Sequence, residues 1–521
     1  SGVFTQNPLA RPGSGSPVAD LLLGLPNSIT TGTPSDANER ANNLYLYLQD
    51  DWNVSRTFTL NLGIRYELTR PFWDKNNRLA NMILDAGDPL YGQYILAGDN
   101  RLPRSLMTTD RNNFAPRVGF AWRTPLSNTV VRGGFGIFFA QDEAFGVSQR
   151  ITNNPPFVGF GGFNLVSDQL NISSTIPLSG ALPARPAAAD PATYRFDPRS
   201  TLQIRSWPSR FTIPYVSQWN LSIQRELRKN LVWEINYVGN RGNGLWGAFE
   251  GNQPVPGPGS VNDRRPLAAI TRASILRVEP WVRATYHGLS TRLERRFSNG
   301  LTFLGVYTWG RALDTQSNID LCQNCVGSSG AGSVQDARNR EANYGLADHH
   351  IAHRFVFSGL YELPFKAPGF AGHLIKGWAL SGISTIQTGE PITVNLNFDN
   401  ANTGNINWPN RLGRGTLSNP TVNRYIDTAA IAFPAPFTFG NAGRNILTGP
   451  GFYSTDLSLQ RNFTLPFNDR SRVEFRAEAF NVLNTPQLGN PNATLGNPAF
   501  GVIGGTARSN RQMQMGLRIL F

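Results

Sequence analysis

Apolar and polar residues alternate strictly along several segments of this chain. In residues 57–68 an apolar residue occupies every even position, while polar residues and one glycine occupy the odd positions. Residues 512–521 repeat the pattern and end in the apolar phase at Phe521. Because successive side chains of a β-strand point to opposite faces of its sheet, these runs predict strands with one face for lipid or a core and one for water.

Thirteen segments carry this pattern, and each has about the nine to eleven residues that a tilted strand needs to cross a bilayer. They are residues 43–52, 57–68, 114–123, 129–140, 215–227, 231–239, 285–297, 301–312, 353–363, 377–388, 452–463, 470–482 and 512–521. No stretch approaches the roughly eighteen consecutive apolar residues of a transmembrane helix, so a helical membrane protein is excluded. The 52 glycines and 36 prolines fit many turns, and an all-β fold follows.

Short and long connections alternate without exception between these segments. The short ones are residues 54–55, 125–128, 228–229, 298–300, 364–376 and 466–469, and the long ones are 70–113, 141–214, 240–284, 313–352, 389–451 and 483–509. Repeated loops of more than about fifteen residues count against a compact soluble domain. An outer-membrane barrel has short turns on its periplasmic side and long loops outside. The pattern therefore predicts an antiparallel transmembrane β-barrel in the outer membrane of a Gram-negative bacterium.

The formal net charge of +13 raises the question of nucleic-acid binding. The charge comes almost wholly from arginines that are scattered along strands and loops. Since they form neither a cluster nor a basic helix, we expect no nucleic-acid partner.

Several spaced segments resemble one family of outer-membrane proteins. They are ADLLLGLP (19–26), LYLYLQDDW (44–52), TLNLGIRYE (59–67), NNFAPRVGFAW (112–122), VVRGGFGIFF (130–139), QWNLSIQREL (218–227), FGNAGRNILTGPGF (439–452) and FRAEAFNVLNTPQ (475–487). These segments resemble TonB-dependent receptors of the Oar-like kind, and the resemblance runs from about Ala19 to the end. It implies a barrel of about twenty-two strands with an N-terminal plug, used for energised passage across the outer membrane.

The chain departs from that pattern because thirteen strands are an odd number and no plug precedes them. We expect residues 1–42 to be a loop or partial barrel segment and residues 43–521 to be the C-terminal part of the barrel, with long extracellular loops. The resemblance implies three kinds of partner: outer-membrane lipid and lipopolysaccharide, the TonB complex acting through a missing N-terminal region, and the barrel-assembly machinery. Phe521 resembles the C-terminal aromatic signal by which that machinery recognises its clients.

The polar phase of the strands is the predicted lining of the lumen. Its candidates are Arg65, Glu67, Arg117, Arg132, Glu234, Asn236, Arg292, Glu294, Gln387, Arg472, Glu474, Arg476 and Glu478. Mixed charge there suits contacts to a plug or to a polar solute. The alternative is that arginines and glutamates on adjacent strands pair only to stabilise the wall.

Other chemical groups give weaker signals. Cys322 and Cys325 are the only cysteines, and we expect a loop disulfide, with a zinc site or thiol exchange as alternatives. Loop tryptophans Trp246, Trp281 and Trp408 could stack on sugar rings. No nucleophile or metalloprotease motif is present, so we expect no catalytic residues, no cofactor, no metal site and no enzyme activity.

Taken together, the residues predict an Oar-like TonB-dependent receptor that moves a solute such as an oligosaccharide or a peptide. One alternative is a surface-exposed structural or adhesive barrel without active transport. Another is a soluble β-rich carbohydrate-binding protein, which would need both faces of its strands covered by stacked sheets.

Overall fold

A computed structural model defines most of the chain. It describes residues 28–32, 37–140, 151–158, 160–164, 190–199, 203–317, 334–366, 375–405, 407–464 and 471–521, together with positions 22, 368 and 372. Among these residues no helix has the length and apolar character needed to span a bilayer. The fold is all-β, and its helical content there is limited to single turns.

Thirteen long strands form one antiparallel sheet, which we call the wall. The strands are β1 Leu44–Asn53, β2 Phe58–Leu68, β3 Phe114–Arg123, β4 Thr129–Phe139, β5 Tyr215–Arg228, β6 Leu231–Glu250, β7 Ile275–Ser298, β8 Leu301–Asp314, β9 His353–Glu362, β10 Trp378–Gln387, β11 Phe452–Thr464, β12 Arg472–Phe480 and β13 Gln512–Leu520. Each strand pairs with the next one along the chain. All thirteen predicted strands are confirmed, most of them to within two or three residues at either end.

The short connections of the wall lie at one end of the sheet, and the one between β7 and β8 is a tight turn. Between β7 and β8 only Asn299 and Gly300 connect the strands, and both have positive φ angles of 51° and 76°. An Asn-Gly pair in this conformation matches the twist of the two strands that it joins. Because the strands are antiparallel, all six long connections lie at the opposite end.

Strands β6 and β7 are longer than the alternation predicts. Residues 240–284 were expected to be a loop, but Gly247 to Glu250 pair with Leu276 to Glu279 above a register shift near Leu245. Both faces of this extension contact other residues, and Ala248 and Val278 are buried. Alternation between water and an apolar surface disappears where both faces are covered, which explains the missed ends.

The side chains in the apolar phase of the wall are largely uncovered. Leu48 on β1 is 74% exposed and Met515 on β13 is 77% exposed, and Leu62, Leu221, Leu293 and Phe357 between them are also exposed. A sheet of this size with one bare apolar face is suited to lipid.

The long connections are folded rather than structureless. We call them the loop layer, comprising residues 69–113, 140–214, 251–274, 315–352, 388–451 and 481–511 as far as these are described, with the extended ends of β6 and β7. The main buried cluster contains Phe72, Leu79, Ile83, Ile95, Leu106, Met107, Ile151, Trp207, Phe211, Ile213, Trp246, Ala248, Leu276 and Val278. A second cluster contains Ile392, Val394, Ile426, Ile431 and Leu447. The buried core of the molecule thus lies in its loops.

Short elements organise this layer. The paired strands are Ser28–Gly32 with Phe160–Asn164, Glu39–Arg40 with Trp73–Asp74, Ala80–Met82 with Tyr94–Leu96, Pro391–Ile392 with Leu447–Thr448, Asn395–Leu396 with Thr494–Leu495, Asn410–Arg411 with Ile431–Ala432, and Thr416–Thr421 with Arg424–Ile426. Ile204–Ser206 joins β7 and Gly345–Leu346 joins β8. Single 3-10 turns occur at Ile151–Asn153, Arg340–Asn343 and Thr428–Ala430.

Two buried arginines fasten separate loops to the wall. Arg277 on β7 pairs with Asp85 at 2.7 Å and donates to Ser206 Oγ at 2.7 Å, so it joins two long connections. Arg444 pairs with Asp314 at the end of β8 and with Asp348 at 3.0 Å. Charged groups withdrawn from water are tolerated only when they are paired and hydrogen-bonded, as these are.

Candidate functional site

The cross-strand register determines which residues share a face of the wall. Directly opposed residues of an antiparallel pair lie on the same face, and Glu234 lies opposite Arg292 while Glu478 lies opposite Gln514. When the register is followed from β2 to β12, all thirteen candidates from Arg65 to Glu478 fall on one face. We call this the polar face and the opposite one the apolar face.

Ion pairs on the polar face form mainly along a strand. Within one strand, Arg65 pairs with Glu67 at 3.0 Å, Arg292 with Glu294 at 2.7 Å, Arg472 with Glu474 at 2.9 Å and Arg476 with Glu478 at 3.6 Å. Pairs between adjacent strands are longer, with Arg292 to Glu234 at 3.9 Å and Arg518 to Glu474 at 4.0 Å. Apart from Arg65–Glu67, whose glutamate is buried, these pairs are exposed and contribute about 0 to 1 kcal/mol each. Much of the charge on this face is therefore not required for stability.

The remaining candidates have other partners. Arg132 Nη1 donates to Gln224 Oε1 at 2.9 Å, and the guanidinium of Arg117 lies over the ring of Phe138 at 4.6 Å. Asn236 lies opposite Ser290, and the side chain of Gln387 has no hydrogen bond within the described residues. The predicted set is thus brought onto one face without converging on one point.

A depression of about 450 Å³ interrupts the polar face over β7 to β12. Its polar lining includes the hydroxyls of Ser358, Ser381 and Ser458 and the carboxylates of Asp456 and Glu478. Those three hydroxyls make no side-chain hydrogen bond to any described residue. Apolar side chains, among them Leu304, Ile383 and Phe480, form most of the lining, so these hydroxyls and carboxylates lie within a largely apolar depression.

Two of the three loop tryptophans are buried. Trp246 and Trp408 are only 8% and 4% exposed. Trp246 packs against Trp207 and Phe211, with ring centres 5.4 and 5.6 Å apart. For these two positions the stacking hypothesis is wrong, because the loops pack on one another and enclose the rings. Trp281 makes an edge contact with Phe249 in the same layer.

Two histidines that follow the cysteine pair in the sequence, His350 and His353, form hydrogen bonds within the fold. His353 Nδ1 lies 2.8 Å from the hydroxyl of Tyr307. His350 Nδ1 accepts the backbone N–H of Ala312 at 3.2 Å. Burial of His350 lowers its pKa, and the charges of Arg311 and His349 lower it further.

Cys322 and Cys325 lie outside the described residues. Within those residues no three or more His, Cys, Asp or Glu side chains are grouped as a metal site would require. The disulfide therefore remains a prediction.

Phe521 follows β13 in the apolar phase and is almost fully exposed. It continues the apolar row of Met513, Met515, Leu517 and Ile519, all of which are exposed as well. This position fits the predicted contact with the assembly machinery, and that role stays a prediction.

A family model named outer membrane beta barrel domain matches residues 1–514 of the 521. The chain belongs to this family. The protein is therefore an outer-membrane β-barrel of a Gram-negative bacterium, and its bare apolar face is the face that lipid covers. Membership of this family excludes the soluble carbohydrate-binding alternative.

Three solved structures with a similar strand arrangement are each longer than this chain. The outer membrane transporter YddB from Escherichia coli is 11% identical with a TM-score of 0.48, and the match covers 92% of this chain and 45% of YddB. The ferripyoverdine receptor of Pseudomonas aeruginosa is 11% identical with a TM-score of 0.44, and the match covers 93% of this chain and 39% of the receptor. The siderophore receptor PirA from Acinetobacter baumannii is 9% identical with a TM-score of 0.44, and the match covers 92% of this chain and 46% of PirA. The chain thus spans less than half the length of these proteins. No curated protein matches the chain.

Proposed function

We propose that this chain is the C-terminal part of an Oar-like TonB-dependent receptor that moves a polar solute, an oligosaccharide or a peptide, across the outer membrane. The observation that carries the proposal is the polar face, which extends from β2 to β12 and bears charges of both signs. Exposed ion pairs and unengaged hydroxyls on this face can exchange partners with a passing solute at little cost. The spaced segments that resemble Oar-like receptors support the same function.

In this proposal the polar face lines the lumen, and TonB acts through a region of the protein outside this chain. The loop layer lies on the cell surface and forms the entrance. No catalytic step and no cofactor are assigned.

Uptake by cells that express the full-length protein tests the proposal. Labelled oligosaccharides and short peptides would be followed in a strain with TonB and in a matched strain without it. We expect accumulation of at least one class to fall about tenfold without TonB, since passage needs energy. Equal accumulation in the two strains for every probe would contradict transport.

A second function, a structural or adhesive surface barrel, has one observation in its favour. The described part of the loop layer has its own buried core, and the ion pairs of Arg277 and Arg444 fasten it to the wall, so this part of its surface is held in a fixed position. A fixed surface suits a lasting contact with a partner. Cell-surface attachment that persists in the strain without TonB, with no uptake of any probe, would favour this function.

A further inference from the structure

We propose that a small polar cavity at the outer end of β10 and β11 binds a free α-amino acid with a small side chain. The cavity has a volume of about 130 Å³ and is lined by Gln387, Glu390, Phe452, Gln487 and Arg508 together with backbone of neighbouring glycines. Gln387 and Phe452 lie opposite each other on the polar face, where the wall meets the loop layer. The cavity therefore opens at the entrance that the proposed function requires.

Close backbone contacts build the frame of the cavity. The N–H of Gly449 donates to the carbonyl of Glu390 at 2.8 Å, so the segments that enter and leave the loop after β10 run side by side. A Cβ on Gly389 would overlap the carbonyl oxygen of Gly449, and a Cβ on Gly449 would overlap the amide of Asn490. Only glycine permits backbones to approach this closely.

Gln487 holds the third side of the frame. It is buried, its Oε1 accepts the N–H of Tyr453 at 3.4 Å, and its Nε2 donates to the carbonyls of Tyr453 and Thr485. The residue next to Phe452 is thus fastened to the loop after β12. Two segments that resemble Oar-like receptors, residues 439–452 and 475–487, meet at this point.

The two charged side chains of the cavity have no partner of opposite charge among the described residues. Within the described residues neither Glu390 nor Arg508 forms an ion pair, with each other or with any other group. The guanidinium of Arg508 lies 4.5 Å from the ring centre of Phe452, which positions it beside the cavity. Opposite charges that line one cavity without pairing fit a ligand that carries both charges.

A free α-amino acid supplies that pair of charges at a fixed spacing. Its carboxylate would accept a forked hydrogen bond from Arg508, which is the geometry that arginine favours. Its ammonium group would donate to Glu390, and Gln387 could donate to or accept from either group. Neutral sugars offer no charge to either residue.

The volume favours a small ligand. Binding sites for larger organic ligands usually measure about 300 to 1,000 Å³. The cavity of about 130 Å³ is well below that range, which suits glycine, alanine or serine better than a sugar chain. An oligopeptide could place at most one terminal residue there.

Calorimetry on the protein purified from outer membranes in detergent tests the site with L-alanine as the probe. N-acetyl-L-alanine lacks the ammonium group, L-alaninamide lacks the carboxylate, and glucose lacks both. We expect L-alanine to bind and the blocked analogues to bind at least tenfold more weakly. Binding of N-acetyl-L-alanine and L-alaninamide as tight as that of L-alanine, or binding of glucose alone, or no binding by any probe, would overturn the proposal.

Variants locate the site. Glu390→Gln and Arg508→Gln should each weaken L-alanine binding about tenfold, while Glu362→Gln at the opposite end of the wall and Arg424→Gln elsewhere in the loop layer should leave it unchanged. Unchanged binding by both cavity variants would place any amino-acid site elsewhere and overturn the assignment. Because both cavity side chains are exposed, the variants should fold normally, and heat-modifiable migration would verify this.

The role of the cavity as an entry site rests on the proposed transport function, but binding itself does not. Amino-acid binding without TonB-dependent uptake would retain the site and reject transport. TonB-dependent uptake without amino-acid binding would support transport and reject the amino-acid site.

Discussion

The wall and the loop layer of this barrel place their apolar residues in opposite ways. On the wall, Leu48, Leu221 and Met515 are exposed, and lipid takes the place of a protein core. In the loop layer, Trp207 is completely buried and Ile95 and Val278 lie with it in a packed cluster. The loop layer faces water, so it has to build a core of its own. One chain thus folds against two solvents, and equal substitutions should have unequal effects in the two regions.

Replacing a tryptophan in each region is the strongest test of this difference. Trp207→Ala removes a ring packed against Phe72 and Trp246 and should destabilise the loop layer by about 3 to 5 kcal/mol. Trp122→Ala removes a partly exposed ring from the apolar face of β3, where lipid can fill the space, and should cost less than about 1 kcal/mol. Limited proteolysis of the loops, with heat-modifiable migration as the check on the wall, measures both. Similar protease sensitivity of the two variants would argue against a separate core in the loops.

The wall could be predicted from the sequence because each of its strands has one face in water or a polar lumen and the other in lipid. Within each strand this difference produces two-residue alternation, so Arg65 and Glu478 could be assigned to the polar phase before any register was known. The residues of the loop core show no such sequence pattern. Phe72, Ile151 and Trp207 come from two connections and have no common period, so only the folded chain brings them together.

The same reasoning explains the errors. Residues 240–250 form the end of β6, and both faces are covered from Trp246 to Glu250, so the alternation is lost there. Trp246 and Trp408 seemed exposed because the loops that contain them were expected to be open. The cavity at Glu390 and Arg508 joins four segments spread over residues 387–508, and no local pattern predicts it.

Substitutions at the buried Arg444 test whether its ion pairs fasten the loops to the wall. Arg444→Met leaves the carboxylate of Asp314 buried without its cation and should cost about 3 kcal/mol. Adding Asp314→Leu removes the unpaired charge and should restore much of the loss, since an apolar pair can replace a buried ion pair. Loop proteolysis of the single and double variants measures the difference. If the double variant were more sensitive than the single one, Arg444 and Asp314 would not act as a pair.

The two faces of the wall differ in the same way as the two regions, on a smaller scale. Leu221→Arg places a charge on the apolar face of β5 and should destabilise the barrel by about 2 to 3 kcal/mol. Arg292→Gln removes a charge from the polar face of β7, breaks two exposed ion pairs and should cost less than about 1 kcal/mol. Unfolding in urea from detergent micelles compares them. Equal losses would mean that the apolar face is not the one that contacts lipid.

The smallest expected effect is a pH dependence confined to the loop layer. Neutral His350 accepts the N–H of Ala312, while burial and then Arg311 and His349 lower its pKa. The folded layer therefore binds fewer protons than the unfolded one. The stability from this contact is complete above the ordinary histidine pKa of about 6.5, and it is lost as pH falls through the lower folded value. Loop proteolysis should accelerate between pH 7.5 and 5.5, while the unfolding of the wall should change less. His350→Gln keeps an acceptor that does not titrate in this range, so the variant should lose most of the dependence. An unchanged pH profile in that variant would assign the effect to other groups of the layer.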